Sequence, residues 1–175
     1  MTVMFIPVVL ALAAFQSPPT VADPLAPSRD GWLSCVQPNR EAKTCESIYR
    51  YRWVGQKIFY DVDVLFRSEP KTVLRLRSQM YSRDDAVCSL TFDAESGVIS
   101  MSINGHEADD ETLAQARREV AEILKDTDGQ EYCVRYTPAE DGQFVYWASV
   151  EGIPRTEPEG LMMWVRPGDG WRVAP

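Results

Sequence analysis

Four cysteines, Cys35, Cys45, Cys88 and Cys133, lie downstream of an apolar N-terminus whose first charged residue is Asp23, and this combination constrains the fold more than any other feature. An even set of cysteines in an exported chain forms disulfides, which tie fixed pairs of positions together and require an oxidising compartment. Val3 to Phe15 reads VMFIPVVLALAAF, the length of a signal-peptide h-region, although no Lys or Arg precedes it. Thr20 and Ala22 then supply small residues at the two positions a signal peptidase reads. A membrane anchor needs roughly 20 apolar residues, and this run is shorter and interrupted by Pro7. The expected organisation is a signal peptide over 1–22, an extended leader over 23–30 around Pro24 and Pro27, and one disulfide-bonded domain over 31–175, periplasmic or secreted.

All charge lies beyond Ala22, so the formal net charge of -8 belongs to the exported part. That balance opposes nucleic acid and anionic lipid, both of which need a basic face. It leaves a basic protein or a cationic ligand as partners of compatible charge, and predicts no stable membrane insertion once the signal is removed.

Period-two alternation recurs along the domain. Ile58, Tyr60, Val62, Val64 and Phe66 fall on one face of a strand while Asp61 and Asp63 fall on the other. Ile99, Met101 and Ile103 alternate with serines in the same way, and Asn104-Gly105 ends that strand with a strong hairpin signal. Further strands are expected at Trp32 to Val36, Ile48 to Val54, Thr72 to Tyr81, Val87 to Phe92, Tyr132 to Tyr136, Gln143 to Val150, Leu161 to Val165 and Trp171 to Val173. One segment differs: Leu113, Ala116, Val120, Ile123 and Leu124 recur at helical spacing, with Asp109 or Asp110 as cap and Gly129 beyond the end. This predicts a long helix over about 109–125, and Pro38 to Thr44 fits a shorter helical turn. The expected fold class is α+β: mostly antiparallel, strongly curved sheet wrapped on one long helix.

An internal echo bears on cysteine pairing. Cys45 is followed by Gly55-Gln56 and then Arg67-Ser68-Glu69-Pro70; Cys133 is followed by Gly142-Gln143 and then Arg155-Thr156-Glu157-Pro158. Four cysteines admit three connectivities. Two pseudo-repeated halves would favour Cys35 with Cys45 and Cys88 with Cys133.

Few residues carry recognisable chemistry. His106 is the only histidine and falls in a hairpin turn, so any Ser-His-acid or Cys-His arrangement depends on it alone. No zinc or phosphate-loop motif is present, and oxidised cysteines are not metal ligands, so no metal or cofactor is expected. Asp61 and Asp63 share a strand face and form the one carboxylate pair of a hydrolase type, with a solvated face as the simpler reading. Glu107, Asp109, Asp110 and Glu111 are accounted for by the start of the helix. Tyr49, Tyr51 and Trp53 alternate with Arg50 and Arg52, which suggests either a core-facing aromatic stripe or a sugar platform, and Trp147, Trp164 and Trp171 admit the same two readings.

DPLAP at Asp23 to Pro27, the C…P…KTC stretch at Cys35 to Cys45, and WV…GWRVAP at Trp164 to Pro175 carry a resemblance. In these, the chain resembles small exported, signal-peptide-bearing alphaproteobacterial proteins of unknown function. The resemblance implies export and paired cysteines, and it implies no activity or site. The resulting expectation is an exported, non-enzymatic binding domain engaging a basic protein, with a carboxylate-dependent hydrolase or a structural envelope component as alternatives.

Overall fold

The computed structural model describes residues 23–91 and 93–175, so the expected signal peptide at 1–22 lies outside the described residues. Among the described residues thirteen strands are formed: β1 Leu33–Val36, β2 Thr44–Cys45, β3 Ser47–Val54, β4 Lys57–Arg67, β5 Thr72–Arg83, β6 Ala86–Leu90, β7 Val98–Ile103, β8 His106–Glu107, β9 Glu131–Pro138, β10 Gln143–Val150, β11 Ile153–Pro154, β12 Gly160–Val165 and β13 Arg172–Val173. The helices are α1 Ala26–Arg29, α2 Ala94–Gly97 and α3 Asp110–Leu124.

Eight strands close on themselves in the order β1-β3-β4-β5-β6-β9-β10-β12, every neighbour antiparallel. Each barrel strand pairs with the next one in the chain, and β12 returns to β1 through Leu33 opposite Val165 and Val36 opposite Met162. The chain is therefore a mostly β, up-and-down barrel, and the α+β reading is overturned. The reason lies in what buries the inward faces. An alternating strand needs one covered face, and here the faces of the eight strands cover one another, whereas α3 covers only a local extension.

That extension grows from β5. Its C-terminal part pairs with β6 through Tyr81 to Arg83, while its N-terminal part pairs with β7 through Thr72 to Leu76, so the sheet forks. Asn104 and Gly105 adopt positive φ in the tight β7–β8 turn, the requirement of a type I′ hairpin. α3 lies against this branch, where Ala116 and Val120 meet Leu74, Val98 and Met101. Asp109 caps the helix by accepting the Thr112 N–H at 2.8 Å, as the sequence spacing predicts.

Two other segments depart from expectation. Residues 23–30, expected to be extended, contain α1, and Leu25 just before it is wholly buried against Ile58, Met80 and Val87. Pro38 to Thr44 forms no helix. Asn39 instead accepts the Ala42 N–H through its side chain and bridges to Thr44, a local Asn turn that competes with helix.

The disulfides join Cys35 to Cys45 and Cys88 to Cys133. Cys45 belongs to the small parallel β2–β13 pair, which folds with Ile48, Val165 and Val173 over the outside of β1 and β3. Cys88 and Cys133 face each other across β6 and β9. In the chain-entropy picture the two closures contribute just under about 3 and about 4 kcal/mol. Of the echoed residues, Gly55 turns β3 into β4 and Gly142 turns β9 into β10, while the Arg-Ser-Glu-Pro run begins at the last residue of β4 and the Arg-Thr-Glu-Pro run follows β11.

Candidate functional site

The barrel holds a partly open cavity of about 310 Å³ whose lining includes six of the seven tyrosines: Tyr49, Tyr51, Tyr60, Tyr132, Tyr136 and Tyr146. Alternation explains how they gather there. Tyr49 and Tyr51 are two apart on β3, Tyr132 and Tyr136 four apart on β9, and even spacing returns a side chain to the same face. Cross-strand register then stacks them in depth, Tyr51 opposite Tyr60 and Tyr136 opposite Tyr146. Ring centroids lie 6.2 Å apart for Tyr49 and Tyr51 and 5.6 Å for Tyr49 and Tyr60. Serines fill the gaps: Ser34, Ser47 and Ser89 also line the space, and the Tyr51 hydroxyl donates to Ser34 Oγ at 3.2 Å. Apolar groups from Val64, Met80, Val87 and Val134 complete the wall.

The two ends of the barrel differ. At one, Leu25 inserts among Ile58, Met80 and Val87, with Trp53, Tyr136 and Trp164 around them. The Trp53 indole donates to Ser28 Oγ at 3.0 Å, and the Arg29 guanidinium lies 3.5 Å over the Trp53 ring, so α1 is held as a plug. The other end carries Glu46, an exposed residue that still lines the cavity. Glu159 lies on the same side, close enough to influence Tyr132 and Tyr146, and is paired with Arg155 at 3.0 Å.

This interior keeps its phenols protonated. Burial pushes Tyr132 up to about 12, with Glu159 adding to the shift. Tyr49, Tyr51 and Tyr136 are also raised, first by burial and then by the neighbouring phenols, because a phenolate would lose its hydration and face other developing negative charges. Tyr60 and Tyr146 are also raised, chiefly by burial. At neutral pH the cavity thus offers neutral hydroxyls that both donate and accept hydrogen bonds, and among the described residues no Lys, Arg or His lines it.

The residues singled out by sequence lie elsewhere, with one exception. Tyr49, Tyr51 and Trp53 do face inward, and Tyr49 and Tyr51 bound an open cavity instead of a filled core. Asp61 and Asp63 are on the outside of β4, each gripped by arginine: Arg77 Nε at 2.7 Å from Asp61, Arg75 Nε at 2.6 Å and Arg50 at 2.8 Å from Asp63. The Arg77 hydrogen bond holds the Asp61 carboxyl below its ordinary value. Burial works to raise Asp63, but Arg75 and Arg50 outweigh it and the net shift is also downward. Carboxyls of this kind stay ionised and do not supply the protonated member of a glycosidase pair. His106 is exposed in β8. Trp147 lies outside the barrel and is exposed, Trp164 approaches Tyr51 at 5.8 Å, and Trp171 packs over the β2–β13 cluster. Cys88, Glu131 and Cys133 converge closely, but their sulfurs are bonded to each other and leave no thiolate for a metal.

Sequence reasoning missed Tyr60, Tyr132, Tyr136 and Tyr146 as site residues. A usable signal was present: tyrosine recurs on the buried face of four separate strands, where a filled core takes Leu, Ile or Val. No family model matches this chain, and no curated protein or solved structure matches it.

Proposed function

We propose that this protein is an exported small-molecule-binding protein whose site is the tyrosine-lined interior of its barrel. The observation that carries the reading is the tyrosine-lined cavity of about 310 Å³ inside the barrel. Binding sites are concave, largely apolar and fitted with a few polar groups, and an eight-stranded barrel is just wide enough to hold one small ligand. Export is supported by the two disulfides, which persist in an oxidising compartment. Four acidic groups, Asp61, Asp63, Glu119 and Glu131, are each held by arginine and are to that extent less free to meet a basic protein.

The test is a thermal-shift screen of small aromatic and aliphatic molecules against the wild-type protein and a plugged Ser89→Trp variant. Ligands at about a hundred times their Kd are expected to add roughly 2.7 kcal/mol to the stability of the wild type. The plugged variant is expected not to respond to the same molecules. Absence of any stabilising molecule, or equal responses from both proteins, would overturn the reading.

A further inference from the structure

The chemistry of the lining restricts the ligand further, granted that the interior is the binding site. Among the described residues its wall holds one acidic and no basic side chain, Glu46 at the rim, with the Arg155-paired Glu159 beside Tyr132 and Tyr146. An anion entering this space would leave water without meeting a cationic partner and would approach a carboxylate, so anions are excluded by desolvation and by charge. Tyrosine rings carry negative potential on their faces. Tyr49 sits 5.6 Å from Tyr60 and 6.2 Å from Tyr51, ring centroid to ring centroid, so these three rings form one cluster in the cavity wall. The whole chain, at a formal charge of -8, adds a long-range field of the same sign.

From these features we infer that the barrel takes an organic cation: an amine or quaternary ammonium group held against the tyrosine rings, its charge balanced by Glu46 at the entrance. Aromatic cages recognise such groups because a methylated ammonium sheds its water more readily than a bare ammonium and gains the ring quadrupoles in exchange. The serines and phenol hydroxyls then serve any polar substituent on the remainder of the molecule.

The experiment compares phenyltrimethylammonium with tert-butylbenzene, its neutral counterpart of the same shape, by titration of the intrinsic fluorescence. The cation is expected to bind at least about tenfold more tightly. Glu46→Gln, at an exposed position, should weaken the cation by about threefold or more and leave the neutral molecule unaffected. Tyr136→Phe, which keeps the ring, should retain cation binding, and Tyr136→Leu should lose it; if the leucine variant does not fold, Glu46→Gln still decides. Equal affinity for the two probes, or a preference for the neutral one, overturns the cation assignment and leaves the interior standing as a site. Failure of both probes to bind likewise overturns the cation assignment, and the plugged-variant screen decides separately whether the interior binds small molecules.

Discussion

Asp61 and Asp63 show how one residue pattern serves two readings. Two carboxylates on a strand face satisfy a catalytic pairing and a solvated surface equally well, because spacing says nothing of what stands on the adjoining strands. Register answers this: Asp61 lies between Arg50 and Arg77, Asp63 between Ile48 and Arg75, and Arg50 reaches diagonally to Asp63. The Asp63 side chain is 12% exposed, while its arginine partners are nearly half exposed, so solvent screens the pairs substantially. Replacing Asp63 with Asn is expected to lower stability at neutral pH by about 1 kcal/mol. The folded-state pKa is depressed, so the contribution is present above the ordinary aspartate value of about 3.9 and is lost as pH falls through the folded value. Urea midpoints of wild type and Asp63→Asn should therefore differ at neutral pH and converge in acid; a gap that persists at low pH would contradict the ion-pair account.

At the scale of elements, the sequence was informative wherever local chemistry decides. Asp109 marks the start of α3, Asn104-Gly105 marks a hairpin, and alternation places the strands of the barrel within a residue or two of their observed ends. It was uninformative where an element is held by distant partners. Residues 23–30 look like a linker because of Pro24 and Pro27, yet α1 is held by Trp53 and by the pocket that buries Leu25, contacts formed with residues more than twenty positions away. A helix this short has no independent stability and exists because of those contacts. Leu25→Ala is expected to cost about 2–5 kcal/mol, the range for truncating a buried leucine. Because α1 anchors the Trp53 indole, the same change should shift tryptophan emission to longer wavelength, and an unchanged spectrum with unchanged stability would show that Leu25 does not act as a plug.

For the whole molecule, the inward phenols predict the alkaline limit of the fold. Their folded-state pKa values lie above the ordinary tyrosine value of about 10, so the folded form holds its protons more tightly than the unfolded form. The resulting stability is complete below that value and declines as pH rises through it towards the folded values. Phenolate absorbance should accordingly appear late and cooperatively, together with unfolding, and a gradual titration without loss of near-ultraviolet circular dichroism would count against a buried tyrosine interior. From sequence alone came the cysteines and their candidate pairing, the strands, the long helix and the sign of the charge, each set by composition, by neighbours a few residues apart, or by an echo of short motifs along the chain. Closure into a barrel depended on the tertiary structure. Strand alternation requires a covered face without saying what covers it, and only the accumulated twist of the sheet brings Leu33 to Val36 beside Met162 to Val165, across almost the whole domain. Gathering six tyrosines from four strands around one cavity depends on that same closure.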